Sequence, residues 1–466
     1  MARPQKAAIA PAAVEGPRKS YWQEHTAQTS PATSNEQPND CDIVIVGGGL
    51  AGLSTAIGIM EMSPFAKVTV LEAAFVGYGA SGRSGGLISP LAAPVWLLSA
   101  QRNADHAWAI KYLRSLVDDA AAWIQKAIPE SEIKSETLTL ESMGKLTGLG
   151  LEALSGILDH SDIAHRLGAN PTRPGCDALS MACHTVNPFG LVQGLARHAR
   201  ALGVKIHEGV QVERIEDCTN GAYVLLANGH AVCADTVVVC TNAYSDTITM
   251  ARKASGKVVS NYMLATKPLS EQTQAIIAKL GRFTVELNGA YVFYRLHEGR
   301  LIFGGIDKFA QPGGGGFHVP ADILAQLNAL MQQSFPLIES LEIDQAWGGQ
   351  YHLTTTDLPD IRRLPQVRGG EPGSIVMNTG YGGTGIALTL AMGTRVAALA
   401  LRRPAIEPDD ERLHEIMQTT SIPIVGIVRH VAKIGWNLIT SGIKKHHTVR
   451  DSPVTLGTRP NIAAMG

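Results

Sequence analysis

The chain has no Cys-x-x-Cys pair, no stretch of 18 consecutive apolar residues and almost no net charge. Its six cysteines (Cys41, Cys176, Cys183, Cys218, Cys233 and Cys240) are scattered, with no histidine cluster at metal-ligand spacing beside them. They read as reduced thiols of a cytosolic protein, most of them in the core, with no metal site. A net charge of -1 provides no global field to gather nucleic acid or an acidic membrane. Without a long apolar run there is no spanning helix. The opening MARPQKAAIAPAAVEGPRKS lacks the apolar core of a secretory signal, and no short internal repeat is visible. What remains is an ordinary globular composition, 45% hydrophobic and 17% charged, over 466 residues. That length suits two packed domains.

Glycine is plentiful, and many of the 48 glycines cluster in three short stretches. Residues 1–40 are rich in Pro, Ala, Ser, Gln and Asn, lack periodicity, and read as a flexible arm whose only aromatics, Tyr21 and Trp22, are its candidate anchors. At Cys41 the pattern changes. CDIVIVGGG is a β-branched run ending in glycine, LAGLSTAIGIMEM (50–62) reads as a helix, and VTVLEA (68–73) reads as a second buried strand. That is a βαβ unit. Residues 105–165 read as mainly helical, 186–203 as a helix running into a strand, and 257–306 as antiparallel strands with a hairpin at Glu298–Gly299. Residues 375–401 repeat the strand, glycine loop and helix order. At 422–445, Arg429, Lys433, Asn437, Ser441 and Lys444 share one helical face opposite an apolar one.

Two motifs carry the chemistry. Gly47-Gly48-Gly49-Leu50-Ala51-Gly52 is a GxGxxG that follows a strand and opens a helix. Gly47 serves the tight turn, Gly49 the approach of a pyrophosphate, and Gly52 the packing of helix on strand. The helix N-terminus offers unpaired N–H groups and a positive dipole end. Glu72, twenty residues after Gly52, ends the second strand, where an acid accepts ribose hydroxyls and disfavours a 2′-phosphate. The second motif is Gly77-Tyr78-Gly79-Ala80-Ser81-Gly82-Arg83-Ser84-Gly85-Gly86, small enough to wrap a flat ring and a diphosphate, with Arg83 and Ser81 as candidate phosphate partners.

GGGLAGLSTA, LEA and GYGASGRSGG, in this order, resemble the D-amino-acid-oxidase-like FAD oxidoreductases, nearest the gamma-glutamylputrescine oxidase branch. SYW at 20–22, NPFGLVQGLARHA, TNAYSD and NTGYGGTGIALTLAMG fit the same branch, so the resemblance spans roughly residues 20–400. It implies an α/β (α+β) fold. A discontinuous Rossmann-type FAD-binding domain (41–105, 186–250, 345–405) is capped by a mostly antiparallel substrate domain (106–185, 251–344), followed by a tail at 406–466 with its amphipathic helix. By the same resemblance, the FAD contacts are Gly47, Gly49, Gly52, Glu72, Gly79, Ala80, Ser81, Arg83, Ser84, Gly85, Gly86 and Leu87. Val212 joins them beside adenine, Thr241 near the nucleotide, and Gly383, Thr384, Gly385 and Ile386 under the flavin pyrimidine ring. The sequence departs from the family at two points. Thr384 stands where members often carry His, and Trp347-Gly348-Gly349-Gln350-Tyr351-His352-Leu353-Thr354 lacks the Cys that attaches flavin in sarcosine-oxidase-like members. FAD is therefore expected to be non-covalent.

Hydride transfer from a neutral amine needs positioning and desolvation more than acid–base groups. The candidates are Tyr291 and Arg295, on one side of an alternating strand, together with Tyr381 and His352. Arg295 is either a fork for a substrate carboxylate or a surface ion-pair partner. Tyr381 is either a pocket wall or core packing, and His352 either a proton acceptor or a structural histidine. Three readings of function stand. The first is an amine or amino-acid oxidase or dehydrogenase, passing electrons to oxygen or another acceptor. The second is a membrane-associated hydroxy-acid or amino-acid dehydrogenase that reduces a quinone. The third is a non-enzymatic flavin-binding subunit. The expected location is cytoplasmic, with 422–445 as either a helix docked on its own domain or a peripheral contact with the inner face of the membrane.

Overall fold

The computed structural model describes residues 19–28, 37–88, 104–118, 120–129, 133–143, 164–167, 176–250, 256–279, 283–286, 292–311, 317–336, 338, 340–355, 358–366 and 372–419. The amphipathic stretch 422–445 and Tyr291 lie outside them.

The first departure from the sequence reading is at the N-terminus. Within the expected flexible arm, Tyr21–His25 forms a helix, α1, closed by a capping box between Ser20 and Gln23, with Trp22 fully buried. The βαβ unit follows: β1 (Cys41–Val46), α2 (Leu50–Met62) and β2 (Val68–Glu72). α2 is apolar nearly all round because it is sandwiched, and ten of its residues are buried. After a short strand β3 (Leu87–Ile88) come α3 (Ala104–Asp118) and α4 (Ala120–Ala127).

The helical expectation for 105–165 holds for α3 and α4 and fails after them, with 144–163 outside the described residues. β4 (Lys134–Met143) and β5 (Ala164–Leu167) are strands that pair with β6 (Cys176–Thr185). Thr and Ser alternate with longer side chains along 134–143, and pairing on both edges overrides the neighbouring helical composition. Asn187 caps α5 (Pro188–Ala201) by accepting from the Phe189 and Gly190 amides, and Pro188 sits at the first helical position.

β7 (Lys205–Glu208), β8 (Val212–Cys218), β9 (Gly221–Leu226) and β10 (Ala231–Val239) follow. Next come β11 (Gly256–Thr266), α6 (Glu271–Ala278), β12 (Phe283–Glu286), β13 (Val292–His297), β14 (Arg300–Ala310) and α7 (Ala321–Ser334). The described chain closes with β15 (Ile343–Thr354), β16 (Asp360–Pro365), β17 (Pro372–Thr379), α8 (Gly385–Ala400) and α9 (Pro408–Thr419). The hairpin at Glu298–Gly299 is present, with both residues at positive φ.

Two sheets result. The first runs β16-β17-β10-β1-β2-β7, parallel from β17 to β7, with β8 and β9 attached through β10. α2, α5 and α8 contribute to the core on one of its faces, and α2 meets α8 closely enough for Ser54 Oγ to donate to the Thr389 carbonyl at 2.9 Å. A second apolar cluster, built from the β8–β9 hairpin, covers the other face. The second sheet runs β15-β11-β14-β13-β12-β4-β6-β3 and is antiparallel except where β12 lies along β4. α7 packs into its outer core with Tyr294 and Phe303.

The fold is thus α/β, a Rossmann-type parallel sheet joined to a mainly antiparallel one. The expected boundaries shift at two strands: β3 and β15, both expected within the nucleotide-binding part, pair in the second sheet, β3 with β6 and β15 along its length with β11. For β15 the reason is its register opposite β11, which the strand pattern alone does not reveal.

Candidate functional site

β1 delivers Gly47 to the carboxyl edge of the first sheet at φ +109°, where a Cβ would lie 2.8 Å from the Cys240 carbonyl oxygen. Gly52, one turn into α2, approaches so closely that a Cβ would sit 2.0 Å from the Gly47 carbonyl oxygen. Only glycine lets helix and strand meet here. Glu72, at the end of β2, accepts from the Gly48 amide at 2.8 Å and from the Ala74 amide at 3.0 Å. Desolvation pushes its carboxyl up, and these hydrogen bonds pull it back. Ser81 Oγ accepts from the Leu50 amide at 3.0 Å, which places the second glycine motif on the N-terminus of α2. Gly79 borders Tyr244, Thr241 Oγ1 pairs with Ser245 Oγ, and Val212 is buried two residues beyond Val210, whose amide donates to the Glu72 carbonyl.

The loop from Gly77 to Gly86 is gripped by its carbonyls from behind. Gln23 Nε2 donates to Gly77 at 2.9 Å, Ser20 Oγ to Gly82 at 2.6 Å, and Trp22 Nε1 to Ser84 at 2.8 Å. Trp347 Nε1 donates to Arg83 at 2.9 Å. Arg295 donates to Gly85 at 3.2 Å and Gly86 at 3.1 Å, and also to Val186 at 3.2 Å. Its guanidinium lies over the Trp22 ring, and burial pushes its pKa down to about 10, so it remains cationic at neutral pH. Arg295 is therefore neither a surface partner nor a residue of the cavity wall, as the sequence reading allowed. It is 4% exposed and braces the loop. Arg83 donates to the Tyr78 carbonyl at 2.8 Å and the Gly348 carbonyl at 3.2 Å, with its guanidinium 3.7 Å above the Phe317 ring.

Between this loop, the α2 N-terminus, the turn before α8 and the inner face of the second sheet lies a cavity of about 1420 Å³, counting its solvent-open mouth. Of the sequence-predicted residues, Gly49, Ala80, Ser81, Arg83, Ser84, Gly85, Gly86 and Leu87 line it from one side. Tyr381, Gly383, Thr384, Gly385 and Ile386 line it from another. Gly47 and Gly52 shape the turn behind it. Among the described residues Ser84 Oγ is buried on this wall without a hydrogen-bond partner, which is what a hydroxyl reserved for a polar ligand looks like. With the glycine turn and the α2 N-terminus, this hydroxyl gives a dinucleotide the contacts it needs, so the residues present fit FAD.

Tyr381 is a wall residue held by its hydroxyl, which donates to Asn378 Oδ1, while burial pushes its phenol well above 10. His352 is placed elsewhere. It is buried outside the wall, its backbone amide donates to Asn242 Oδ1 at 3.3 Å, and burial lowers its pKa. Its Nδ1 is buried without a hydrogen-bond partner among the described residues, and the structure does not bring it to the cavity wall, where a proton acceptor would stand. Tyr291 lies outside the described residues.

The sequence reading missed Asp307. β14 carries a bulge in which Ile306 and Asp307 face the single residue Asn261 of β11, since Ser260 pairs with Lys308 and Tyr262 with Gly305. Ile306 adopts φ +62°, a left-handed conformation that costs a β-branched residue about 1–2 kcal/mol. The bulge aims Asp307 at the cavity. There its carboxylate accepts from Asn261 Nδ2 at 2.8 Å and from the Tyr351 hydroxyl at 3.1 Å. The Tyr351 ring flanks Gly383, within 3.8 Å of where a Cβ would stand. A strained β-branched bulge is invisible to composition; the one hint in the sequence is an acid ending the apolar run LIFGGID.

The profile of the FAD dependent oxidoreductase (DAO) family matches residues 42–399. The chain is similar to a probable oxidoreductase OrdL of Haemophilus influenzae, 28% identical over 427 residues, covering 87% of this chain and 92% of that protein. It is also similar to the gamma-glutamylputrescine oxidoreductase of Escherichia coli, 25% identical over 425 residues, covering 87% and 93%. Among solved structures, the glycine oxidase of Geobacillus kaustophilus shares the fold at 18% identity with a TM-score of 0.64, over 79% of this chain and 96% of that one.

Proposed function

Because the chain belongs to the FAD dependent oxidoreductase (DAO) family, we propose that it oxidises a small amine or amino acid, FAD taking a hydride at N5, the imine product hydrolysing, and oxygen serving as the electron acceptor. FAD is held non-covalently. The turn Gly47–Gly52 and Ser81 serve its pyrophosphate, Glu72 the ribose, Val212 and Thr241 the adenosine side, and Ser84 to Leu87 with Gly383 to Ile386 the flavin ring. The first sheet and its helices form the FAD-binding part, and the second sheet forms the cap over the substrate. The relatives named for an amine and an amino-acid substrate support this choice of substrate.

The observation that carries the reading is the cavity itself. Its wall joins the two glycine loops to Met263, Phe283 and Phe293 of the second sheet, so a ring laid on the loops faces an apolar, water-excluding cap. Desolvation of this kind favours the neutral amine from which hydride leaves. Tyr381, held by Asn378, fixes one wall. We place the protein in the cytoplasm. Among the described residues no helix is long and apolar enough to cross a membrane, and the stretch on which a peripheral contact would rest, 422–445, lies outside them.

The test is anaerobic mixing of the FAD-loaded protein with amines, amino acids and hydroxy acids. Bleaching of the flavin by an amine or amino acid, with hydrogen peroxide formed in air, is the expected result. Bleaching by hydroxy acids alone, with reoxidation only by a quinone, refutes it.

A further inference from the structure

Among the described residues of the cavity wall, the charged side chains are Arg83 and Asp307. They are placed for different work. Arg83 bridges the glycine loop and the second sheet, donating to the Tyr78 and Gly348 carbonyls with its guanidinium over the Phe317 ring. Arg295, the other guanidinium nearby, is turned away onto the backbone of Gly85, Gly86 and Val186. Both guanidinium groups are engaged by backbone carbonyls, Arg83 through Nε and Nη1 and Arg295 through Nη1.

Asp307 stands on the cap. A carboxylate has about four lone-pair sites, and Asn261 and Tyr351 fill two of them. The remaining acceptor capacity faces the cavity. The bulge at Ile306 holds a strained backbone in place to achieve this orientation, and such strain persists where the surrounding structure fixes it. Tyr351 connects the carboxylate to the Gly383 turn, so a cation bound at Asp307 lies beside the loop assigned to the flavin.

We propose that Asp307 is the substrate anchor of this site: with Asn261 and Tyr351 orienting it, its carboxylate receives the ammonium nitrogen of an amine that carries no carboxylate on the carbon bearing that nitrogen, and takes its proton so that hydride leaves from the neutral amine. This rests on the amine reading above and narrows it. An α-amino acid would bring its own carboxylate into a wall whose described residues offer a second carboxylate and, in Arg83, a guanidinium already donating to two backbone carbonyls, so that like charges in a desolvated space repel. A simple amine meets an acceptor already oriented by two donors.

Two measurements on FAD-loaded protein test it. The first is anaerobic bleaching by n-butylamine, 1,4-diaminobutane, N-acetyl-1,4-diaminobutane and benzylamine, set against glycine, sarcosine, L-proline and D-alanine, in wild type and in Asp307→Asn. At least one simple amine should bleach the wild type more than tenfold more efficiently than any of the amino acids. Asp307→Asn should lose about 10- to 150-fold of that efficiency, the range for a hydrogen bond to a charged group, while retaining FAD with an unchanged absorption spectrum.

The second measurement needs no variant. Titrated into oxidised wild type and followed by the flavin spectrum, n-butylammonium should bind at least tenfold more tightly than butyrate. Amino acids bleaching as well as amines, Asp307→Asn bleaching as fast as wild type, or butyrate binding as tightly as n-butylammonium would each overturn this inference and leave the amine or amino-acid reading standing. Bleaching by hydroxy acids alone would overturn both.

Discussion

Replacing Trp22 with phenylalanine should weaken FAD binding about 5- to 150-fold while leaving the chain folded. The indole is 0% exposed, and its Nε1–H donates to the Ser84 carbonyl at 2.8 Å. Phenylalanine keeps an aromatic surface under the Arg295 guanidinium but removes that donor. The smaller ring also leaves a void, whose cost falls on the flavin-free and flavin-bound chains alike and so cancels from the binding constant. The orphaned carbonyl does not cancel. Without flavin, the loop can turn the Ser84 carbonyl toward water. With flavin bound, the ring covers the loop that Ser20 and Arg295 hold at Gly82 and Gly85, and the carbonyl stays dry. A buried acceptor left unpaired costs about 1–3 kcal/mol, and each 1.4 kcal/mol is a factor of ten in the dissociation constant. Titrating apoprotein with FAD and following quenching of flavin fluorescence gives the number directly. Tyr21→Phe serves as the control, because that hydroxyl lies in the field of Glu298 and Arg300, outside the loop. A Trp22→Phe protein that binds FAD as tightly as wild type would refute the claim that α1 holds the loop in its binding shape.

Gly52→Ala should abolish FAD uptake, since its Cβ would press 2.0 Å from the Gly47 carbonyl oxygen; an alanine variant with normal flavin content contradicts the packing assigned to this turn. His297 predicts a pH dependence: burial first, then the charge of Arg295, pushes its imidazole from 6.5 down to about 4. Its neutral form is the native one, so its contribution is whole above about pH 6.5 and is lost as pH falls toward 4, where the unfolded chain takes up a proton that the folded chain refuses. Allowing for the ring's residual exposure, roughly 2 kcal/mol is involved. Denaturant unfolding of His297→Gln should therefore show a flatter profile between these pH values than wild type does, and identical profiles would remove His297 from the account.

The parts of this fold legible in the sequence are those where one residue type answers a local need. The run CDIVIV, the helix 50–62 and the strand ending at Glu72 appear in the structure because a parallel strand buried on both faces must be apolar throughout and the turn after it must be glycine. The hairpin at Glu298–Gly299 was legible for the same reason. Harder to read was anything defined by a distant partner. α1 looked like part of a flexible arm because its composition is polar. Its Ser20–Gln23 capping box was there to be seen, but its burial comes from carbonyls about 60 residues away. Alternation placed Arg295 opposite Tyr294 correctly; its partners, the carbonyls of Gly85 and Gly86, lie 210 and 209 positions off. Asp307 reaches the cavity only through a change of register between β11 and β14. A one-residue slip reverses the face a side chain occupies, and no single-strand pattern reports it.

The measurement that bears most directly on the account is flavin content. Purified protein, or apoprotein given FAD, should be yellow with one FAD per chain, and acid denaturation should release all of that flavin into the supernatant. Colourless protein that takes up no added FAD contradicts the central claim, and flavin that stays with the precipitate contradicts the non-covalent site.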